Sequence, residues 1–181
     1  MVANLNYNAN DIVSNAFTVG LGSDGKFDIF ADTTTHFIVD ITGYYAPPGS
    51  GGLYYHPLPY PVRRLDTRPG ETTACTNPGT PLTGGVPSNQ QARGSCQGTT
   101  IPAAAQAIVG NAAVVNFISG PGYITLYPSD ASQPLVANLN YNANDIVSNA
   151  FTVGLGSDGT FNTFASSTTH FVVDLTGYFA P

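Results

Sequence analysis

The sequence predicts an all-β protein, a β-sandwich of short antiparallel strands with a partial second copy of its carboxy-terminal part at the amino terminus. Three observations carry this. Only 9% of the 181 residues are charged while 42% are apolar, and Gly, Pro, Asn, Thr and Ser fill most of the rest, a turn-rich profile. Short apolar stretches recur between clusters of turn-forming residues, the spacing expected of a sandwich. Residues 2–47 also return almost letter for letter as residues 136–181, at an offset of 134 positions. A period that long marks a domain, because solenoid rungs recur every 20 to 50 residues or so. The layout is a first copy, a unique segment and a second copy. This divides the chain into a partial repeat over 1–47 and a complete unit over 48–181, with a Gly/Pro linker at about 47–53.

Each copy reads as four strands. Residues 2–9 alternate, with Ala3, Leu5, Tyr7 and Ala9 on one face and Asn4, Asn6, Asn8 and Asn10 on the other. Ile12 to Leu21 forms a second strand, and the turn Gly22 to Gly25 returns it as a hairpin through Lys26 to Ala31. The fourth runs from His36 to Tyr45. Differences between the copies cluster around that turn and the strand after it: Lys26, Asp28, Ile29 and Asp32 become Thr160, Asn162, Thr163 and Ser166. The changes Ile38 to Val172, Ile41 to Leu175 and Tyr45 to Phe179 preserve shape and apolarity, as packed positions require. In the unique segment, Val62 to Arg68 is a short strand, Ile101 to Ile118 contains a longer apolar stretch, and Gly122 to Tyr127 forms a hairpin with the first strand of the second copy.

Charge and cysteine content narrow the setting. A formal charge of −6, with four of five basic residues in the unique segment, argues against nucleic acid as a partner. No apolar run is long enough to span a membrane as a helix, and Met1 leads straight into repeat sequence, so that either a secretion signal lies outside this sequence or the chain is a piece of a longer repeat array. Cys75 and Cys96 flank a Gly/Pro-rich segment without apolar periodicity. A disulfide would pin it, contributing roughly 3 kcal/mol and implying an oxidising location. The alternatives are two free thiols or, against the spacing, a metal pair.

Arg64-Leu65-Asp66-Thr67-Arg68 is the charged cluster. In an extended chain Arg64, Asp66 and Arg68 share a face at about 6 to 7 Å intervals, a ready ion-pair ladder. Asp40 and Asp174 lie inside apolar strands and need a partner if buried, for which an arginine of this segment is the candidate. The competing reading is an arginine pair that binds a ligand. The rows Asn4, Asn6, Asn8, Asn10 and Asn138, Asn140, Asn142, Asn144 offer donors and acceptors at strand spacing. They suit sugar hydroxyls, an amide ladder against another strand or a solvated face. His170 and Asp174 are about 13 Å apart along a strand, too far for a catalytic pair, and with His36 and His56 the histidines make no metal site. No nucleophile elbow, phosphate loop or paired carboxylates occur. The residues predict no enzyme and no cofactor.

The combination Pro61-Val62-Arg63-Arg64-Leu65-Asp66-Thr67-Arg68, Ile101-Pro102-Ala103, Gly122-Tyr123-Ile124-Thr125-Leu126-Tyr127-Pro128 and Val173-Asp174-Leu175-Thr176-Gly177-Tyr178-Phe179 resembles an extracellular bacterial repeat domain. Members of that family carry an RLDTR motif near the start and a VDVTGYF-type motif at the end. The resemblance covers residues 53–181 and implies a secreted or surface-attached protein with such domains in tandem or appended to other modules. The first copy departs from it, having no unique segment before it.

The expectation is therefore a non-enzymatic structural repeat domain of an extracellular or cell-surface protein, assembling into a fibre or forming part of an adhesin stalk. The alternative is a carbohydrate-binding module using the asparagine rows and tyrosines. Since one chain holds two copies and one unique segment, one copy lacks its partner here, unless the chain is a cut from a longer array, in which the partial unit only reflects the boundaries. Residues 1–47 are thus expected to contact other copies of the chain, through an open strand edge or by exchange, and to build a filament.

Overall fold

The computed structural model describes residues 3–47, 49, 51–115 and 118–181. Val2 at the start of the first predicted strand, Pro48 and Ser50 in the linker, and Asn116 and Phe117 near the end of the apolar stretch lie outside the described residues.

Ten strands form, all in residues 54–180: β1 Tyr54–Asp66, β2 Ser88–Gln91, β3 Gly94–Cys96, β4 Thr99–Ile101, β5 Ala107–Val115, β6 Gly122–Pro128, β7 Leu139–Tyr141, β8 Ile146–Gly154, β9 Thr160–Ala165 and β10 His170–Ala180. No helix occurs among the described residues. One sheet has the order β1-β10-β5-β8, the other β2-β9-β6-β7, and β3-β4 is a small ribbon. All strand pairings are antiparallel. The all-β sandwich follows from period-2 patterning. In β5, for example, Ile108, Gly110, Ala112 and Val114 are buried while the residues alternating with them are half-buried. The core draws Val62, Phe151, Phe171, Val173 and Leu175 from the first sheet and Ile124, Leu139, Tyr141 and Phe161 from the second.

The second copy supplies β7 to β10, so four of the eight sandwich strands belong to it and the unique segment supplies the other four. Neither half has a core without the other. The predicted β6–β7 hairpin is present, with Gly122 opposite Tyr141.

Three expectations are corrected. The turn equivalent to Gly22–Gly25, at Gly156–Gly159, does not close a hairpin: β8 pairs with β5, whereas β9 pairs with β2 and β6. The chain crosses there from one sheet to the other, so that Phe151 and Phe161 enter one core from opposite sides. Non-local partners have taken the hydrogen-bonding edges that a hairpin would use. The strand predicted at Val62–Arg68 begins at Tyr54 and contains Pro57, Pro59 and Pro61. It is an edge strand, where prolines are tolerated, and its register shifts between Pro57 and Val62. The third correction is the largest. Residues 3–47 form no strand, and nearly all of them are exposed.

Candidate functional site

The two terminal motifs of the complete unit meet in one place. Strand β1 pairs with β10 so that Arg63 lies opposite Asp174, Leu65 opposite Val173 and Asp66 opposite Val172. Leu65 and Val173 enter the core, and the charged residues gather on the other side of the sheet.

Arg63 donates through Nε and Nη2 to the two carboxylate oxygens of Asp174, at 2.9 and 3.1 Å, a bidentate fork. Its third nitrogen, Nη1, donates to Asp66 Oδ2 at 3.4 Å. Asp66 has no exposed side-chain surface and also accepts from Arg68 Nε at 3.0 Å, Arg68 Nη2 at 2.7 Å and the Arg68 amide at 3.1 Å. Burial alone would push the Asp66 carboxyl up. The Arg68 hydrogen bonds and the charges of Arg68 and Arg63 outweigh it and hold the group below the usual carboxylate range. The fork to Asp174 raises Arg63, and the bond to Asp66 raises Arg68. Glu71 lies 3.4 Å from Arg68 Nη2. Carboxylates engage both guanidiniums, so the cluster fastens an edge strand to its neighbour.

Around this clamp the remaining motif residues each have a packing task. Thr67 Oγ1 accepts from the Phe171 amide at 2.7 Å and lies 3.2 Å from His170 Nδ1. Gly177 lies under the Tyr55 ring, where an added Cβ would come within 2.4 Å of ring carbon. Tyr178 stacks on His56 at 5.0 Å, and Phe179 meets Tyr55 at 5.5 Å. Cys75 and Cys96 form a disulfide that ties the loop after β1 to β3. The Cys75 amide donates to Arg63 O and the Thr76 amide to Arg64 O, so the pinned loop runs directly beside the clamp.

Arg64 and Asp40 stand outside the network expected from the sequence. A register shift between Arg63 and Leu65 breaks the alternation, so Arg63 takes the face assigned to Arg64. Arg64 is buried and donates instead to Gln91 O at 2.6 Å and Arg93 O at 3.4 Å; burial lowers its pKa. Asp40 is exposed and accepts from the Ala137 amide at 3.1 Å, because the arginine that would face it is held by its counterpart Asp174. Arg93, which the sequence reading passed over, donates to Ala105 O and Ser157 O and links three loops.

The asparagine rows are divided among separate tasks. Asn138 Oδ1 accepts from the Leu126 amide at 2.8 Å, and Asn140 donates through its amide and side chain to Ser14 Oγ. The amides of Asn8 and Asn142 donate to Asp11 and Asp145. Asn10 and Asn144 take left-handed φ values of 66° and 63° at turns, and Asn15 and Asn149 donate to the carbonyls of Asn4 and Asn138. Asn6 is exposed.

The first copy presents the second candidate surface. Phe37 is 50% exposed where Phe171 is fully buried, and Ile41 is 81% exposed where Leu175 is fully buried. This segment touches the unit at β7 and β8, through Ser14 with Asn140 and the Ala16 amide with Asn149 Oδ1 at 2.9 Å, and at the end of β10, through Tyr45 with Phe179 at 6.3 Å.

Among the described residues no three His, Cys, Asp or Glu side chains gather as metal ligands, and no helix is long and apolar enough to cross a membrane. No known protein-family model matches the chain, and no curated protein matches it significantly.

Proposed function

We propose that the chain is a non-enzymatic structural repeat module of an extracellular or cell-surface protein, one that builds extended assemblies from sandwich units. One observation carries the reading. The same segment occurs twice, once as half of a packed sandwich and once as a largely exposed apolar chain that forms no strand among its described residues. Apolar surface left uncovered at that scale is costly in water and recruits a cover, most readily from a molecule that already carries the matching strands. The disulfide supports an oxidising, extracytoplasmic setting. The Arg63–Asp66–Arg68–Asp174 cluster supports a mechanical role, because it locks an edge strand to its neighbour.

Light scattering on the intact chain and on a chain beginning at Gly49 tests the proposal. The intact chain is expected to be larger than a monomer in a concentration-dependent way, and the shortened one monomeric. A stable monomer in both cases overturns the assembly reading.

A further inference from the structure

Residues 53–128 form a seat, and the first copy carries the side chains to fill it. Phe151, Phe161, Phe171 and Val173, which enter the core from the second copy, correspond to Phe17, Phe27, Phe37 and Val39, and Leu175 differs from Ile41 only in branching. Connectivity permits the exchange within one molecule. Strand β10 runs antiparallel to β1 with Ala180 opposite Tyr54, so the last residue of β10 abuts the first of β1. Ala46, the counterpart of Ala180, is joined to Tyr54 by residues 47–53. A chain of that length reaches roughly 23 Å when extended, against about 5 Å between paired strands. A copy seated from the amino-terminal side would simply enter β1 through a hairpin.

Three of the polar side chains that differ between the copies meet one strand. Thr160 Oγ1 and Asn162 Oδ1 both accept from the Asn89 side-chain amide, at 2.9 and 3.3 Å. Thr163, fully buried, donates to Ser88 O at 3.2 Å and accepts from Gln90 Nε2 at 3.4 Å. Three of the positions where the copies diverge thus face β2, in the register Ser88–Thr163, Asn89–Asn162 and Gln91–Thr160. In the first copy those places hold Ile29, Asp28 and Lys26. Ile29 has no hydroxyl for the Ser88 carbonyl or the Gln90 amide, and Lys26 would bring an ammonium to a position that is buried when it holds Thr160. A fourth divergent position, Ser166, accepts from the Tyr123 amide at 2.8 Å on neighbouring β6.

We propose that the seat formed by residues 53–128 accepts either copy in cis, and that β2 is the selectivity strand that fills it with residues 137–180 in preference to residues 3–47. Exchange would free the carboxy-terminal copy in place of the amino-terminal one, so one molecule can present either end to a neighbour. The use of that exchange rests on the reading as a repeat module; the exchange itself is a property of the single molecule.

Amide hydrogen exchange on the monomeric fraction of the full chain tests it, followed by mass in peptides 36–46 and 170–180, whose masses differ through Ile38/Val172 and Tyr45/Phe179, the third difference, Ile41/Leu175, being isobaric. In the unaltered chain, slow exchange is expected in 170–180 only. The variant Lys26→Thr, Asp28→Asn, Ile29→Thr, Asp32→Ser should give two populations of comparable size in both peptides. Adding the reciprocal changes Thr160→Lys, Asn162→Asp, Thr163→Ile and Ser166→Asp should move the slow amides to 36–46. The proposal is overturned if 36–46 stays fast in both variants, whether 170–180 remains slow or loses its protection. That result would leave the light-scattering test of assembly untouched, and monomeric behaviour there would leave the exchange result untouched.

Discussion

Residues 3–47 and residues 137–181 are close to a controlled experiment, since one sequence sits in two settings within one molecule. Both copies close the same turns. The Gly22 amide donates to Lys26 O at 2.8 Å, as Gly156 does to Thr160 O, and Gly25 and Gly159 share φ values of 77° and 82°. Asn15 reaches Asn4 O as Asn149 reaches Asn138 O. Even a contact 26 residues apart recurs, Tyr7 Oη to Thr33 O at 3.3 Å and Tyr141 Oη to Ser167 O at 2.8 Å. What differs is the ladder, for only the second copy has β1, β2, β5 and β6 beside it, and only it forms strands. Turns are decided by residues a few positions apart, whereas a strand needs a neighbour to satisfy its edge and a facing sheet to bury its apolar side. The unique segment is therefore a partner that the repeated segment requires, and the repeated segment is equally half of the unique segment's core.

The sharpest way to break the comparison is to remove the same ring from each copy. Phe171→Ala should cost about 3–5 kcal/mol of unfolding free energy, because a buried ring leaves a cavity in the core. Phe37→Ala should change it by less than about 0.5 kcal/mol. Equal costs, measured by urea denaturation, would show that the first copy is packed.

The charge network gives the next largest effect. Asp66→Asn should destabilise by about 3 kcal/mol, since it removes the buried negative charge and puts an NH2 donor in place of one of the two oxygens that accept from the two guanidiniums. The pH dependence follows from the lowered Asp66 pKa. A carboxyl depressed in the folded state contributes stability that is fully present above its unfolded value, about 4, and is lost as pH falls through the lower folded value. Acid melting below about pH 4 should therefore show a stability loss that is absent in the Asp66→Asn variant. A parallel loss in both would place the acid sensitivity elsewhere.

Asp174 and Asp40 supply the smallest test. Asp174→Ala should cost about 1–2 kcal/mol, the fork to Arg63 being charge-assisted but about one-third exposed and so partly screened. Asp40→Ala, at an exposed carboxylate bonded to a single amide, should fall within about 0.5 kcal/mol. Comparable melting shifts would remove the clamp from the account.

Most of the second copy was legible in the sequence because its signals are periodic. The predicted strands of residues 12–21, 26–31 and 36–45 reappear there as β8, β9 and β10. Alternation in residues 2–9 pointed to a longer strand than β7, whose three residues stop where Asn142 and Asp145 begin a turn. Tyr54–Pro61 was not legible, because prolines read as a loop and only an edge position excuses them. The choice of Arg63 over Arg64 depends on a bulge, and the crossing at Gly156–Gly159 depends on distant strands, neither of which a local pattern encodes. Least legible was the first copy's lack of strands, since its sequence carries the same periodic signal as its folded twin.

The central claim is that the repeated segment folds into strands only when a unique segment is beside it. The most direct test is to extend the chain with a second copy of residues 48–135 ahead of the first copy and measure amide exchange in peptides 36–46 and 170–180. With a seat provided for each copy, the amides of 36–46 should slow to nearly the rate of 170–180. If they exchange as fast as in the unextended chain, the partner is not what the first copy lacks, and the account is wrong.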